Sequence, residues 1–115
     1  MNSVSLVGNL ATNVQLKQVG EGKSRSTFLL AVDRFGGEHA DFVPIVAWEK
    51  QAELCDRYLT KGQRVGVEGR LRSRSWEDDG KRRTVLEVVA QHVEFLSPAS
   101  SAGAEKDIPF EAAVA

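Results

Sequence analysis

The chain has 115 residues, 42% of them hydrophobic and 27% charged, enough for one core and too few for two. A single cysteine excludes an intrachain disulfide framework and fits a reducing cytoplasm. The apolar runs at 28–32 and 42–48 fall far short of the ~20 residues that cross a bilayer, and Met1-Asn2-Ser3 carries no signal-peptide pattern, so no membrane partner is expected. The net charge of −1 says little about a polyanion partner, because it is unevenly spread: residues 1–98 sum to +1 and residues 99–115 to −2.

In chain order, period-two alternation dominates. Val4, Leu6, Gly8 and Leu10 alternate with Ser5, Val7 and Asn9, which predicts a first strand. A turn follows at Val19-Gly20-Glu21-Gly22, then a second strand over Lys23–Asp33 with Phe28, Leu30 and Val32 on one face. Phe42–Trp48 predicts a third strand, with Pro44 tolerable only where its missing N–H faces no partner. Lys50–Thr60 switches to helical spacing through Ala52, Cys55, Tyr58 and Leu59, and Lys61-Gly62 supplies a glycine cap. Arg64–Trp76 predicts a long fourth strand, Asp78-Asp79-Gly80 a hairpin turn, and Arg83–Leu96 a return strand bent near Gln91-His92.

The small, aperiodic stretch from Pro98 to Ala104 reads as a linker. The expected organisation is therefore one domain over residues 1–97 and a short disordered tail over 98–115. Three strands, a helix and two strands give an all-β class: a five-stranded Greek-key OB-fold barrel with one helix between strands 3 and 4.

The fourth strand carries the strongest chemical signal. Alternation turns Val65, Val67, Gly69 and Leu71 into the barrel and Arg64, Glu68, Arg70, Arg72, Arg74 and Trp76 outward. Arginine forks pair with phosphate oxygens and an indole stacks on unpaired bases. The bland alternative is a solvated face in which the arginines pair with Glu68, Glu77 or Glu87, or a charged edge that blocks aggregation. Phe42 and Trp48 share parity on the third strand, and Phe35 sits beside Arg34 in a glycine loop. Aromatics near Arg34, Lys50 and Arg74 suit a stacking platform in a basic groove better than a core.

These residues resemble a family. Asn2–Leu10, Val46–Glu53, Tyr58–Gly62, Val65–Arg74 and Glu87–Ala90, in that order, are similar to the bacterial single-stranded-DNA-binding proteins over about residues 1–97. The resemblance implies an OB-fold, a homotetramer, and sequence-tolerant binding of single-stranded DNA in replication, repair and recombination, in the cytoplasm with the nucleoid. It puts stacking aromatics at Phe42, Trp48 and Trp76 with a fourth near Phe35, and basic contacts at Lys50, Lys61, Arg72 and Arg74. Position 49 departs from the pattern, holding Glu where many members have Gly. The tail departs too: Asp107-Ile108-Pro109-Phe110 looks like the family's acidic, Pro-Phe-ending tip that recruits DNA-processing proteins, but Glu111–Ala115 follow it. A pocket that captures a terminal carboxylate could not use Phe110.

Catalytic constellations are thin. Cys55 lies on the apolar helix face, where a small buried hydrophobe is the expected role. His39 and His92 lack zinc-site spacing, and Asp78-Asp79 is what a hairpin turn asks for. No metal or cofactor and no enzymatic activity are expected. The reading is a binder of single-stranded DNA through Arg34, Lys50, Lys61, Arg70, Arg72 and Arg74 and the four aromatics. Its rivals are a replisome module whose aromatic face is a protein interface, and a metal-dependent nuclease using Glu77, Asp78 and Asp79.

Overall fold

Alternation of small or branched apolar residues with polar ones builds the sheet. The computed structural model describes residues 1–96, so the expected tail, with Asp107, Ile108, Pro109 and Phe110, lies outside the described residues. The elements are β1 (Val4–Leu10), β2 (Gln15–Val19), β3 (Lys23–Asp33), β4 (Ala40–Trp48), α1 (Glu49–Tyr58), β5 (Arg64–Asp78) and β6 (Lys81–Phe95).

Five of the strands pair around a ring, β1–β5–β6–β4–β3–β1. The ring is only lightly closed: β1 meets β3 at Asn9↔Ala31 and Leu10↔Leu30, and β4 meets β6 in parallel at Ile45↔Val88 and Val46↔Val89. This is the OB arrangement in a partly open form, with the helix after β4. The extra strand, β2, prolongs the path of β1 along β3, from Leu10↔Leu30 to Gln15↔Thr27, after the break at 11–14. The helix therefore lies between the third and fourth strands of the ring, although it follows four strands in the chain.

Inside the ring, Leu10, Phe28, Leu30, Ile45, Val65, Val67, Val88 and Ala90 form one buried cluster, and Ala52, Cys55 and Leu59 of the helix segment close one end of it. Burial pushes the Cys55 thiol up to about 11, which leaves almost no thiolate at neutral pH. Gly8 and Gly69 are where backbones cross closely. A Cβ on Gly8 would meet the Ala31 carbonyl oxygen at 2.3 Å, and one on Gly69 the Val89 oxygen at 2.0 Å. The expected bend in the last strand is a bulge: Glu68 pairs with His92 but Gly69 with Ala90, leaving Gln91 extra.

Pro44 is accommodated as the sequence requires. It pairs with Leu29, whose N–H donates to Thr12 Oγ1 (3.1 Å) and whose carbonyl accepts from Ala11 (2.8 Å). Leu29 thus turns its backbone groups away from Pro44, and no ladder bond is lost.

Two expectations need correction. The helix ends at Tyr58, with Leu59 as an extended C-cap whose N–H donates to the Cys55 carbonyl; Gly62 instead turns the chain into β5, donating to the Leu10 carbonyl at 2.8 Å. Leu71 does not enter the barrel and is 44% exposed. β1 ends its pairing at Val4↔Gly69, and β6 leaves β4 at Val88. Beyond that line β5 and β6 continue, among the described residues, as a two-stranded arm with no interior to point into. The arm turns at Asp79 (φ 55) and Gly80 (φ 76), the left-handed pair that a two-residue hairpin demands.

Candidate nucleic-acid interface

Register decides which side chains share the outer face of the sheet. On β3 and β4 the pairs Arg25↔Trp48, Thr27↔Val46, Leu29↔Pro44 and Ala31↔Phe42 stand side by side. Val46 pairs with Val89 of β6, and β5 adds Arg70↔Val89, Arg72↔Glu87, Arg74↔Val85 and Trp76↔Arg83. Paired residues project to the same side, so Phe42, Trp48 and Trp76 lie on one continuous surface with Arg25, Arg70, Arg72 and Arg74. Val46 and Val89 are buried on this face although they lie outside the inner cluster.

Trp48 is the centre of this surface. The Arg25 guanidinium approaches its ring from β3 and the Arg72 guanidinium from β5, each 5.9 Å from the centroid. Arg74 lies over Trp76 at 4.7 Å. A cation at this range is attracted by the ring's π face. Trp48, Arg25, Arg72, Arg74, Ser73 and Ser75 line one shallow groove, and Arg25 and Arg74 also line a second with Thr12, Asn13, Gln15, Thr27 and Glu87. Phe42 is 62% and Trp76 40% exposed, more than a core role would leave them.

One carboxylate sits among these cations. Glu87 is buried, and it accepts from Arg72 Nη2 (2.5 Å) and Arg74 Nε (3.1 Å). Burial alone would raise its pKa, but the hydrogen bonds and charges of the two arginines outweigh that and hold it below the ordinary carboxylate value. The pairing that the sequence offered as the bland alternative therefore exists at Glu87, and it exists within the aromatic face.

The remaining expected residues are more scattered. Arg70 is exposed on the same face. Arg34 is committed to Asp41, with its Nε donating at 2.7 Å, and Phe35 is fully exposed in the β3–β4 loop. Lys50 is exposed on the first turn of the helix, two residues beyond Trp48. Lys61 lies in the turn after the helix, where its backbone N–H donates to Asn13 Oδ1 at 3.0 Å, next to the second groove. Glu49 takes φ 52, a left-handed backbone costing a side-chain residue about 1–2 kcal/mol and glycine nothing; this is why glycine suits the position.

Sequence reading missed Arg25. The apolar face of β3 draws the eye to Phe28 and Leu30, whereas Arg25 stands on the other face. Only the Arg25↔Trp48 register reveals that it faces the groove.

Comparison with known proteins gives the family. Residues 1–96 match the Single-strand binding protein family. The chain belongs to that family. It is 48% identical over 102 residues to the Single-stranded DNA-binding protein of Clostridium tetani, covering 84% of this chain and 70% of that protein. With Single-stranded DNA-binding protein 3 of Clostridium acetobutylicum the identity is 47% over 107 residues, covering 88% and 74%. With the Single-stranded DNA-binding protein of Bacillus cereus it is 44% over 112 residues, covering 92% and 66%. The family is a binding family and not an enzyme class. No helix among the described residues is long and apolar enough to cross a membrane, and among those residues no cluster of three or more His, Cys, Asp or Glu could hold a metal ion.

Proposed function

We infer that this chain binds single-stranded DNA, and that it does so along the β3–β4–β6–β5 face. The observation that carries the reading is the juxtaposition of Trp48 with Arg25 and Arg72, and of Trp76 with Arg74, on one surface. Bases stack on Phe42, Trp48 and Trp76, with Phe35 reaching from its loop, each contributing roughly 1–3 kcal/mol. Arg25, Arg70, Arg72, Arg74, Lys50 and Lys61 track phosphates, and Arg34 joins them when it exchanges Asp41 for the strand. None of these contacts reads base edges, so sequence preference is slight. Duplex binds poorly because its bases are already stacked on one another. The local basic surface, and not the net charge of −1, governs attraction.

The wider role follows from the family: protection of single strands in replication, repair and recombination, without catalysis, in the cytoplasm. A homotetramer is part of the proposal; a monomer mass by light scattering at micromolar concentration would overturn it. So is recruitment of DNA-processing proteins by Asp107-Ile108-Pro109-Phe110, which a peptide of residues 105–115 should inhibit by competition.

Tryptophan fluorescence titrated with a thymidine oligonucleotide, beside a matched duplex, tests the central reading. Single strand should quench strongly, duplex weakly, and salt should weaken both. Absence of any change with the single strand would make the aromatic face a protein interface.

A further inference from the structure

Glu87 is out of place on a surface that meets a polyanion. It has the sign of the phosphates, and its side chain is 2% exposed, where an ionised carboxylate is costly unless paired and hydrogen-bonded. Counted as charge alone, it cancels one of the arginines around it.

Its geometry gives it another role. Each carboxylate oxygen takes one arginine, Oε2 taking Arg72 Nη2 and Oε1 taking Arg74 Nε. Arg72 and Arg74 stand on the same face of β5, where two like charges at this spacing repel and two long side chains sample many rotamers. With the anion between them, Arg72 is held 5.9 Å from the Trp48 centroid and Arg74 4.7 Å from that of Trp76. Arg74 spends only its Nε on Glu87, so both of its terminal amino groups stay free to donate elsewhere, as does Nη1 of Arg72. Ordering these cations in advance removes a cost that binding would otherwise bear.

We propose that Glu87 is a positioning residue of the DNA-binding face: it holds the Arg72 and Arg74 forks against Trp48 and Trp76, so that removing its negative charge weakens the binding of single-stranded DNA. The inference rests on the reading that this face binds DNA. It opposes simple charge counting, under which loss of a carboxylate tightens binding.

The test is a cycle of four full-length proteins: the parent, E87Q, Arg72→Ala/Arg74→Ala, and the combination of all three changes. Each is titrated with a thymidine oligonucleotide at several salt concentrations after circular dichroism has shown it folded. E87Q should bind at least fivefold more weakly than the parent in the arginine background, and within twofold of its reference when both arginines are absent. Its salt dependence should stay that of the parent, because no cation is lost, while the double-alanine protein should lose about 1.4 from the log–log slope. Tighter binding by E87Q, or equal weakening in both backgrounds, would overturn the positioning role. Unchanged binding by the double-alanine protein would overturn the placement of DNA on this face instead. Should E87Q fail to fold, Arg72→Lys/Arg74→Lys keeps the charge and loses the forks. Weaker binding at an unchanged salt slope then supports the proposal, and parental affinity refutes it.

Discussion

The two halves of the β5–β6 hairpin follow different rules although the same two strands build both. In the near half, from Arg64 to Arg70 with Val89 to Phe95, β1 lines the other edge of β5, and Val65, Val67 and Ala90 enter the core with Val93 packed against it. In the far half, from Leu71 to the Asp79-Gly80 turn and back to Leu86, no third strand among the described residues joins the pair and both faces are largely exposed. The near half is held by burial and tight backbone contact. The far half is held by its turn, by the Ser75–Thr84 hydroxyl pair at 3.0 Å, by Arg83–Asp78 at 3.2 Å and by the arginines gathered on Glu87. A two-stranded ribbon is only marginally stable alone, so the arm carrying Trp76 is the low-stability end of a sheet anchored elsewhere. Firm support and the arm of the proposed binding face are thus built from the same two strands.

The sharpest way to break this contrast is at its glycines. Gly69→Ala drives a methyl into the Val89 carbonyl and should cost about 3 kcal/mol. Gly80→Ala, with open space around it but φ 76, should cost only about 1–2 kcal/mol. Urea melts with unchanged slopes would measure both, and equal costs would contradict the division. Trp76→Ala comes next: it should weaken oligonucleotide binding by about 1–3 kcal/mol while changing the unfolding free energy by less than about 0.5 kcal/mol. A large stability loss would mean that the arm is more firmly packed than its exposure implies.

Acid probes the seam between the halves. A carboxyl whose folded pKa is lowered adds stability that is fully present above its unfolded value, about 4.5 for Glu87, and is lost as pH falls through the folded one. Thermal midpoints should therefore hold from pH 7 to 5 and drop below about 4.5, and E87Q should flatten that drop. The smallest effect is expected at the tip, where Asp78→Asn breaks a pair whose partners are 57% and 59% exposed. Exposed pairs of this kind change stability by less than about 0.5 kcal/mol.

What the sequence could reveal follows the same division. Val65 and Val67 announce an inward face because burial demands apolar residues there, and Asp79-Gly80 announces a turn because few residues adopt its backbone. Leu71 continues the alternation without any core opposite it, so period alone could not show where the barrel stops. β2 left almost no trace: only Leu16 of Gln15–Val19 is half-buried, and an edge strand whose two apolar residues, Leu16 and Val19, stand three apart has no readable period of two. On the proposed binding face, Phe42, Trp48, Arg72, Arg74 and Trp76 stood out by type and spacing within single strands. Arg25 and the buried state of Glu87 depend on which strands become neighbours, which no local pattern encodes.

The boundary between barrel and arm is marked by one side chain from the other end of the chain. Asn2 donates from Nδ2 to the Leu71 carbonyl and accepts from the Leu71 N–H at Oδ1, each at 2.8 Å, copying with its carboxamide the rung that a further strand residue would supply. Only an amide can both give and take in this way; a carboxylate at the same place accepts but cannot donate. Slow hydrolysis of that amide in an ageing sample would set a negative charge against the Leu71 carbonyl and open the rung. A change at residue 2 would then be felt as a loosened hinge beneath Trp76, so preparations of different age would differ in DNA binding while keeping the same barrel.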